Sequence, residues 1–262
     1  HCSNRGLWTL SRSAVCRSRK GSFAGTHPAE YGAQVLNGVL DQIPQLDRAD
    51  IEDVIVGCAV QERTCTNQIA KHIIERAQLP VGVSAQTINR FCSSGLQAIA
   101  TGMNAIAMGQ GDVIVAGGIE DMTGTFAPFP QEYWDKWLME NDPGAYMTMG
   151  ITAENIAEKY GFTREQQDQL AVNSQNKAEA AVDSGRFDDE IVPITIPQRK
   201  GDPIVFARDE HLSRGNTMEK VARLKPAFKK DGTVTDKGYI WTCHIYDVYG
   251  VRCSCKERKT LQ

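Results

Sequence analysis

The sequence predicts an α/β fold with a largely parallel sheet. Two short apolar runs rich in valine, at residues 54–60 (VIVGCAV) and 112–118 (DVIVAGG), are typical of strands buried on both faces. A third strand is indicated at Thr87 and Ile88, and stretches with helical spacing of apolar residues lie between the strands. Strand, helix and strand in alternation are the pattern of βαβ units, which build parallel sheets.

The helices of the first half follow from the spacing of their apolar residues. Residues 29–43 place six large apolar side chains at intervals of mostly three and four, as one face of a helix requires. Residues 66–77 place four apolar side chains on one side in the same way. A third apolar stripe runs from Leu96 to Ala107, directly after the strand at Thr87.

The middle of the chain departs from this pattern. Residues 126–146 hold three prolines, two tryptophans and two tyrosines without periodicity, which predicts a long ordered loop. Helices are expected from about Thr152 and from Thr163. The second of these helices has a capping box, formed by Thr163 and Gln166, and ends at Gly185.

The last part of the chain is expected to be more irregular. Residues 191–196 and 204–206 are typical of a pair of strands, and Thr217 is expected to cap a short helix. Residues 236–262 contain no alanine and no proline and carry three of the eight cysteines. No motif is assigned to this last segment.

Composition argues against several classes of protein. A formal net charge of −3 and a pI near 6.0 leave no basic surplus, which argues against nucleic-acid binding. No apolar run approaches the ~18 residues that a membrane span requires. The eight cysteines are irregularly spaced without a Cys-x-x-Cys pair, which favours free thiols in a reducing compartment. Cys243, His244, Cys253 and Cys255 would be the candidate zinc ligands, but their spacing fits no usual pattern, so no metal is expected.

The N-terminal segment is basic. No acidic residue precedes Glu30, while five arginine or lysine residues and several serines do. Two interpretations stay open, an organelle transit peptide and an ordinary basic N-terminus. The sequence therefore leaves the compartment open between the mitochondrial matrix, the peroxisomal matrix and the cytoplasm.

One cysteine lies where a predicted strand passes into a predicted helix. At this position the free N–H groups of the first helical turn and the positive end of the helix dipole stabilise the thiolate of Cys92. Ser93, Ser94 and Gly95 are small, so the backbone amides stay accessible and the N–H of Cys92 is a candidate oxyanion donor. A nucleophilic cysteine and a buried structural cysteine are both compatible with this pattern.

A wider match resolves the choice in favour of a nucleophile. Residues 88–106 (INRFCSSGLQAIATGMNAI) closely resemble the acyl-enzyme signature of the thiolase family, and residues 116–122 (AGGIEDM) resemble its second N-terminal landmark. Residues 149–181, 189–196 and 224–235 resemble the middle loop domain of that family. The order Cys-Ser-Ser-Gly after Asn-Arg is most similar to the degradative 3-ketoacyl-CoA thiolases among the acetyl-CoA acyltransferases.

The resemblance implies an acyl-CoA C-acyltransferase that works through a cysteine thioester. It implies that Cys92 accepts the acyl group and that the loop domain holds coenzyme A, with Met149 lining the acyl pocket. Arg214 is then a candidate partner of a CoA phosphate or a plain surface charge, and Phe228 stacks near the adenine or packs in the core. Acyl-CoA and CoA are expected as substrates without a further cofactor, in a homodimer or homotetramer.

The resemblance covers only part of the chain. It divides the sequence into a divergent segment at 1–22, an α/β domain at 23–122, a CoA-binding loop domain at 123–235 and an unrelated tail at 236–262. The polar segment LSRSAVCRSR, at residues 10–19, is expected to make a poor buried strand. The second α/β half of the family has no counterpart in these residues, which suggests a truncated or misread gene product.

Two alternatives remain open. A catalytically silent protein of the same fold would bind CoA or a partner chain without turnover. A ketosynthase-like condensing enzyme also uses a cysteine at a strand-to-helix turn, but it usually has an acidic residue where Asn89 stands. Gly95 and residues 116–122 also argue against the ketosynthase alternative.

We expect the 262-residue chain alone not to complete repeated turnovers of a 3-ketoacyl-CoA. The family draws its base and its second acid/base from Gly-His-Pro and Cys-x-Gly-Gly segments, which these residues do not contain. One positioned acid/base group contributes ~10²–10⁴-fold to the rate. Cleavage of acetoacetyl-CoA by free CoA should therefore stay at the level of a Cys92→Ala control, and repeated turnovers that vanish in that control would contradict the expectation.

Overall fold

A computed structural model describes residues 7–124, 130–210, 212–235 and 251–255. These residues divide into two compact units. The first unit contains residues 7–124, 187–210 and 251–255, and the second contains residues 130–186 and 212–235. The division differs from the domain boundaries expected at 23–122 and 123–235, because residues 7–22 and 187–210 pack with the first unit.

Seven strands and seven helices occur in the described residues. The strands are β1 Leu7–Ser11, β2 Asp53–Gly57, β3 Ser84–Ile88, β4 Val113–Gly118, β5 Ile194–Ile196, β6 Ile204–Phe206 and β7 Val251–Cys255. The helices are α1 Pro28–Leu40, α2 Ile69–Arg76, α3 Ser94–Ala107, α4 Lys136–Asn141, α5 Met149–Tyr160, α6 Arg164–Asp183 and α7 Met218–Ala222.

The first unit is built on a five-stranded sheet in the order β1-β7-β4-β2-β3. Strands β4, β2 and β3 are parallel, as the sequence predicts, whereas β7 pairs antiparallel with β1 and β4. The chain moves outward from β2 to β3 through α2 and then back past β2 to β4 through α3. Right-handed crossovers in opposite directions put their helices on opposite faces of a sheet.

The packing of the sheet agrees with that rule. Val54 and Val56 of β2 belong to a large core shared with α1 and α2, and Ile55 packs with Ala98 of α3 on the other face. Strand β2 is therefore buried on both faces, which explains its unbroken apolar sequence.

Three expectations about secondary structure need correction. The segment at residues 10–19 was expected to make a poor buried strand, yet Leu10 and Ser11 form the end of β1. Ser11 is buried, and its Oγ accepts a 2.6 Å hydrogen bond from Gln42. The loop expected at 126–146 contains helix α4 in its described part, because Asp135 caps that helix by accepting from the N–H of Leu138 at 2.9 Å. Residues 251–255 of the expected tail form strand β7.

Burial of polar groups near β1 is tolerated because they are paired. Arg12 is only 6% exposed, yet its guanidinium forms two hydrogen bonds of 2.8 and 2.9 Å to Asp209 and one of 2.7 Å to Glu190. A buried guanidinium is stable only when carboxylates satisfy it in this way. The polar sequence after β1 is therefore compatible with the interior of the first unit.

Three glycines allow α3 to start directly against the ends of two strands. A Cβ added at Gly57, the last residue of β2, would lie 2.2 Å from the carbonyl carbon of Ser94. A Cβ at Gly118, its register partner on β4, would lie 3.2 Å from the Cα of Gly95. Only glycine permits this approach of backbone to backbone.

The second unit is helical. Thr163 and Gln166 form the predicted capping box at the start of α6, and Gly185 follows the helix with a φ of 71°. Glu154 of α5 is buried, and its two carboxylate oxygens accept from the N–H groups of Thr233 and Val234 at 2.9 and 3.0 Å. In the part of the chain that the structure describes, none of the helices combines the length and apolarity that a membrane crossing demands.

We predict that Gly57→Ala destabilises the protein strongly. The new methyl group would overlap the backbone at Ser94, and overpacking against atoms that cannot move aside costs about 3 kcal/mol or more. Gly82→Ala is the matched control, since a Cβ there meets no atom within 4 Å. The free energy of unfolding in urea measures both variants, and a Gly57→Ala variant as stable as Gly82→Ala would contradict the packing described.

Candidate active site

The turn between β3 and α3 has a fixed and unusual backbone. Phe91 adopts a φ of 44°, in the left-handed region that a bulky residue rarely enters. Its N–H donates to Oδ1 of Asn89 at 2.7 Å, and its carbonyl accepts from Oγ of Ser94 at 2.5 Å. The same Oγ accepts from the N–H of Arg90 at 2.9 Å. The turn is therefore held from both ends by side chains.

This turn presents Cys92 at the start of α3. Cys92 is exposed, while Cys58 and Cys65 are buried and Cys16 is half-buried. Helix α3 has 14 residues, so the dipole and the free N–H groups of its first turn act on a group placed at this end. Of the cysteines whose side chains the structure describes, Cys92 alone combines exposure with a helix N-terminus.

Glu120 holds the loop that follows β2. Its side chain is 9% exposed, and its oxygens accept from the N–H groups of Ala59 at 2.8 Å and Val60 at 3.0 Å. Burial raises the pKa of Glu120, although both N–H donors act in the opposite direction. The pKa of the Cys58 thiol is also raised, first by its hydrogen bond with Cys65 and then by burial, so Cys58 is a poor nucleophile.

In the second unit the structure brings two of the predicted residues together. Phe228 lies in a loop that is closed by a hydrogen bond of 3.0 Å from the N–H of Ala227 to the carbonyl of Val234. Its ring packs on the first turn of α5, where a Cβ at Gly150 would come within 2.1 Å of the ring. Met149 precedes this glycine and is 48% exposed. Met149 and Phe228 therefore flank the start of α5.

Arg214 lies elsewhere in the second unit, at the end of α6. Its guanidinium forms two parallel hydrogen bonds of 2.8 and 2.7 Å to the carboxylate of Asp183 and an ion pair of 3.5 Å to Glu179. Asp183 thus occupies the bidentate edge that a phosphate would use. A role for Arg214 in CoA binding stays a prediction, and it requires a phosphate to share or displace this contact.

The roles of three residues in the first unit were not predicted from the sequence. Gly57 leaves room for the start of α3 against β2. Glu120 holds the loop after β2, and Asn89 connects this loop to the turn before Cys92. A carboxylate two residues after the glycine pair that ends a buried strand was the signal available for Glu120. Within the described ranges, no cluster of three or more metal-ligating side chains occurs. The zinc candidates at Cys243, His244, Cys253 and Cys255 lie outside the residues whose side chains the structure describes.

Comparison with known proteins gives one family. A sequence model of the thiolase N-terminal domain matches residues 9–239. An acetyl-CoA acetyltransferase of Pseudomonas aeruginosa is 44% identical over 239 residues, which are 86% of this chain and 60% of that protein. An acetyl-CoA acetyltransferase of Cupriavidus necator is 41% identical over 227 residues, covering 82% of this chain and 57% of that protein. The chain spans about 60% of the length of these relatives.

A solved structure supports the same assignment. The crystal structure of the acetyl-CoA acetyltransferase of Bacillus anthracis superposes with a TM-score of 0.79 at 33% sequence identity. The superposition covers 98% of this chain and 67% of that one. The matched region begins at residue 9, earlier than the resemblance seen in the sequence, which agrees with the presence of strand β1.

We predict that Cys92 is the most reactive thiol of the folded chain. Substoichiometric iodoacetamide should modify it before Cys58 and Cys65, because those two side chains are shielded from reagent. Mapping of the adducts by mass spectrometry gives the order, with Cys243, Cys253 and Cys255 changed to Ser to remove competition. Preferential modification of Cys58 or Cys65 in the native protein would contradict the assignment.

Proposed function

This chain belongs to the thiolase family, and we propose that it accepts an acyl group from acyl-CoA on Cys92 as part of an acyl-CoA C-acyltransferase. The single observation that carries the proposal is the exposed thiol of Cys92 at the start of α3, on a turn that side chains hold in place. An acyl thioester needs an accessible nucleophile and nearby donors for its carbonyl oxygen, and both occur together here.

The acylation step follows from this placement. The thiolate of Cys92 attacks the carbonyl carbon of the acyl-CoA, and the carbon–sulfur bond to CoA breaks as the new thioester forms. The proton lost by the cysteine goes to the departing CoA thiolate, so the step needs no outside acid. In thiolysis of a 3-ketoacyl-CoA, the thiolate attacks the 3-keto carbon instead, and the bond between carbons 2 and 3 breaks. The shortened acyl group stays on Cys92 as a thioester, and the two-carbon fragment that carries CoA leaves as an enolate and takes up the proton that the cysteine lost.

The first turn of α3 stabilises charge in this reaction. Negative charge lies on the sulfur before attack and on the carbonyl oxygen during it, and both atoms lie beside the N-terminal end of the helix. A hydrogen-bond donor already oriented toward the developing oxyanion lowers the activation free energy of acyl transfer by about 2.7–4 kcal/mol. The small side chains of Ser93 and Gly95 leave room for the oxygen to approach the backbone.

The second unit is the proposed CoA-binding part. Met149 is exposed beside the packed ring of Phe228, which gives an apolar surface at the start of α5 suited to an acyl chain or to the adenine. Arg214 supplies positive charge for a phosphate only if the bond to Asp183 is shared. The acetyl-CoA acetyltransferases among the relatives support a CoA thioester as the substrate.

Two further points belong to the proposal. The direction of the reaction stays open between thiolysis and condensation. The order Cys-Ser-Ser-Gly after Asn-Arg is most similar to degradative enzymes, whereas the relatives are named as acetyltransferases. The family match favours this reaction over that of a ketosynthase. A homodimer or homotetramer is proposed from the family resemblance alone.

The proposal predicts that acyl-CoA acylates Cys92 in a single turnover. Incubation with acetyl-CoA should add one acetyl group, located by peptide mapping on Cys92 and removed by hydroxylamine, as a thioester would be. Cys92→Ala should take up none, whereas Cys16→Ala should take up as much as the unchanged chain. Acetylation that persists in Cys92→Ala, or its absence from the unchanged chain, would overturn the proposed function.

A further inference from the structure

The backbone of Ala59 is held by two side chains, one at its N–H and one at its carbonyl. Its N–H donates to Oε2 of Glu120 at 2.8 Å, and its carbonyl oxygen accepts from Nδ2 of Asn89 at 2.8 Å. Glu120 follows β4 and Asn89 follows β3, so the loop after β2 is fastened to the ends of both neighbouring strands.

Asn89 continues this connection to the cysteine turn. Its Nδ2 atom donates to Ala59, and its Oδ1 atom accepts from the N–H of Phe91 at 2.7 Å. Phe91 carries the strained backbone directly before Cys92. Three hydrogen bonds therefore link the buried carboxylate of Glu120, through Ala59 and Asn89, to Phe91, the residue directly before Cys92.

A carboxylate is the group that this position requires. The second oxygen of Glu120 accepts from the N–H of Val60 at 3.0 Å and lies 3.8 Å from the sulfur of Cys58. The side chain thus receives hydrogen bonds on both oxygens in a buried site. A glutamine of the same shape would turn an N–H₂ group toward one of these donors and leave it unsatisfied.

We propose that Glu120 and Asn89 are positioning residues for the Cys92 thiol, which act together through the backbone of Ala59. The inference rests on the proposed acylation of Cys92, and it adds the reason why the thiol keeps its direction at the start of α3. The strained backbone conformation of Phe91 persists only if contacts with surrounding residues stabilise it. The hydrogen bonds that run from Glu120 through Ala59 and Asn89 provide this stabilisation.

Two variants break the connection at different points without changing the nucleophile. Glu120→Gln keeps the side-chain shape but removes one acceptor. Asn89→Ser is uncharged, and its hydroxyl can still accept from the N–H of Phe91 but is too short to reach Ala59. Because Asn89 is exposed, its variant is expected to fold, so it tests the proposal even if Glu120→Gln does not fold.

Glu52 offers a matched control at the other end of the sheet. It lies just before β2, and one of its oxygens accepts from the N–H groups of Asp112 and Val113 at the start of β4. Glu52 is exposed, but like Glu120 it accepts from two backbone N–H groups beside a strand of this sheet, so Glu52→Gln disturbs a comparable contact away from Cys92. Its effect reports the cost to folding alone.

Two rate measurements are made on chains shown by circular dichroism to be folded. One is alkylation of Cys92 by iodoacetamide, and the other is its acetylation at increasing concentrations of acetyl-CoA. We expect Glu120→Gln and Asn89→Ser each to lower both rate constants about tenfold or more, as misplacement of a reacting group does. The concentration of acetyl-CoA that gives half the maximal rate should not change, and Glu52→Gln should react like the unchanged chain.

The combined variant tests whether Glu120 and Asn89 act through the same segment of backbone at Ala59. We expect Glu120→Gln with Asn89→Ser to react no more slowly than the slower single variant, whereas independent effects would multiply. Wild-type rates in folded Asn89→Ser, multiplying effects in the double variant, or an equal loss in Glu52→Gln would each overturn the inference. If acetyl-CoA fails to acylate the unchanged chain, the proposed function is wrong. The rates of alkylation by iodoacetamide still test whether Glu120 and Asn89 position the Cys92 thiol.

Discussion

The close approach of helix α3 to the ends of β2 and β4 is the constraint on which the site depends. Gly57 and Gly118 are register partners at the carboxyl ends of these strands, and the backbone at Ser94 and Gly95 lies directly against them. A side chain at Gly57 would overlap the backbone at Ser94 and push the helix away from the sheet. The glycines therefore fix where the helix begins, and Cys92 lies two residues before that point.

The position of the site follows from the parallel arrangement of β4, β2 and β3. Their carboxyl ends meet at one edge of the sheet, where open α/β sheets generally bind their ligands. Residues within two positions of the end of each strand are thereby brought to the same edge although they are far apart in the sequence, namely Cys58, Asn89 and Glu120. The buried carboxylate costs free energy of desolvation, and its hydrogen bonds to the backbone offset that cost.

Much of this architecture could be predicted, because its signals are local. The apolar runs of β2 and β4, the stripe of α3 and the cysteine between strand and helix all lie in short windows. The pairing of Arg12 with Asp209 could not be predicted from the sequence, because it joins residues 197 positions apart. For the same reason the segment at residues 10–19 looked too polar for a buried position, and Arg214 looked like a free charge although Asp183 binds it. Helix α4 was missed because a single capping aspartate outweighs the irregular residues around it.

The central claim is that Cys92 carries the acyl group at the start of α3. A crystal structure of the chain after reaction with acetyl-CoA tests it most directly. The account predicts an acetyl group bonded to Sγ of Cys92, with its carbonyl oxygen within hydrogen-bonding distance of a backbone N–H at the N-terminal end of α3. An acetyl group on another residue, or a Cys92 turned away from the helix with Gly57 no longer against Ser94, would contradict it.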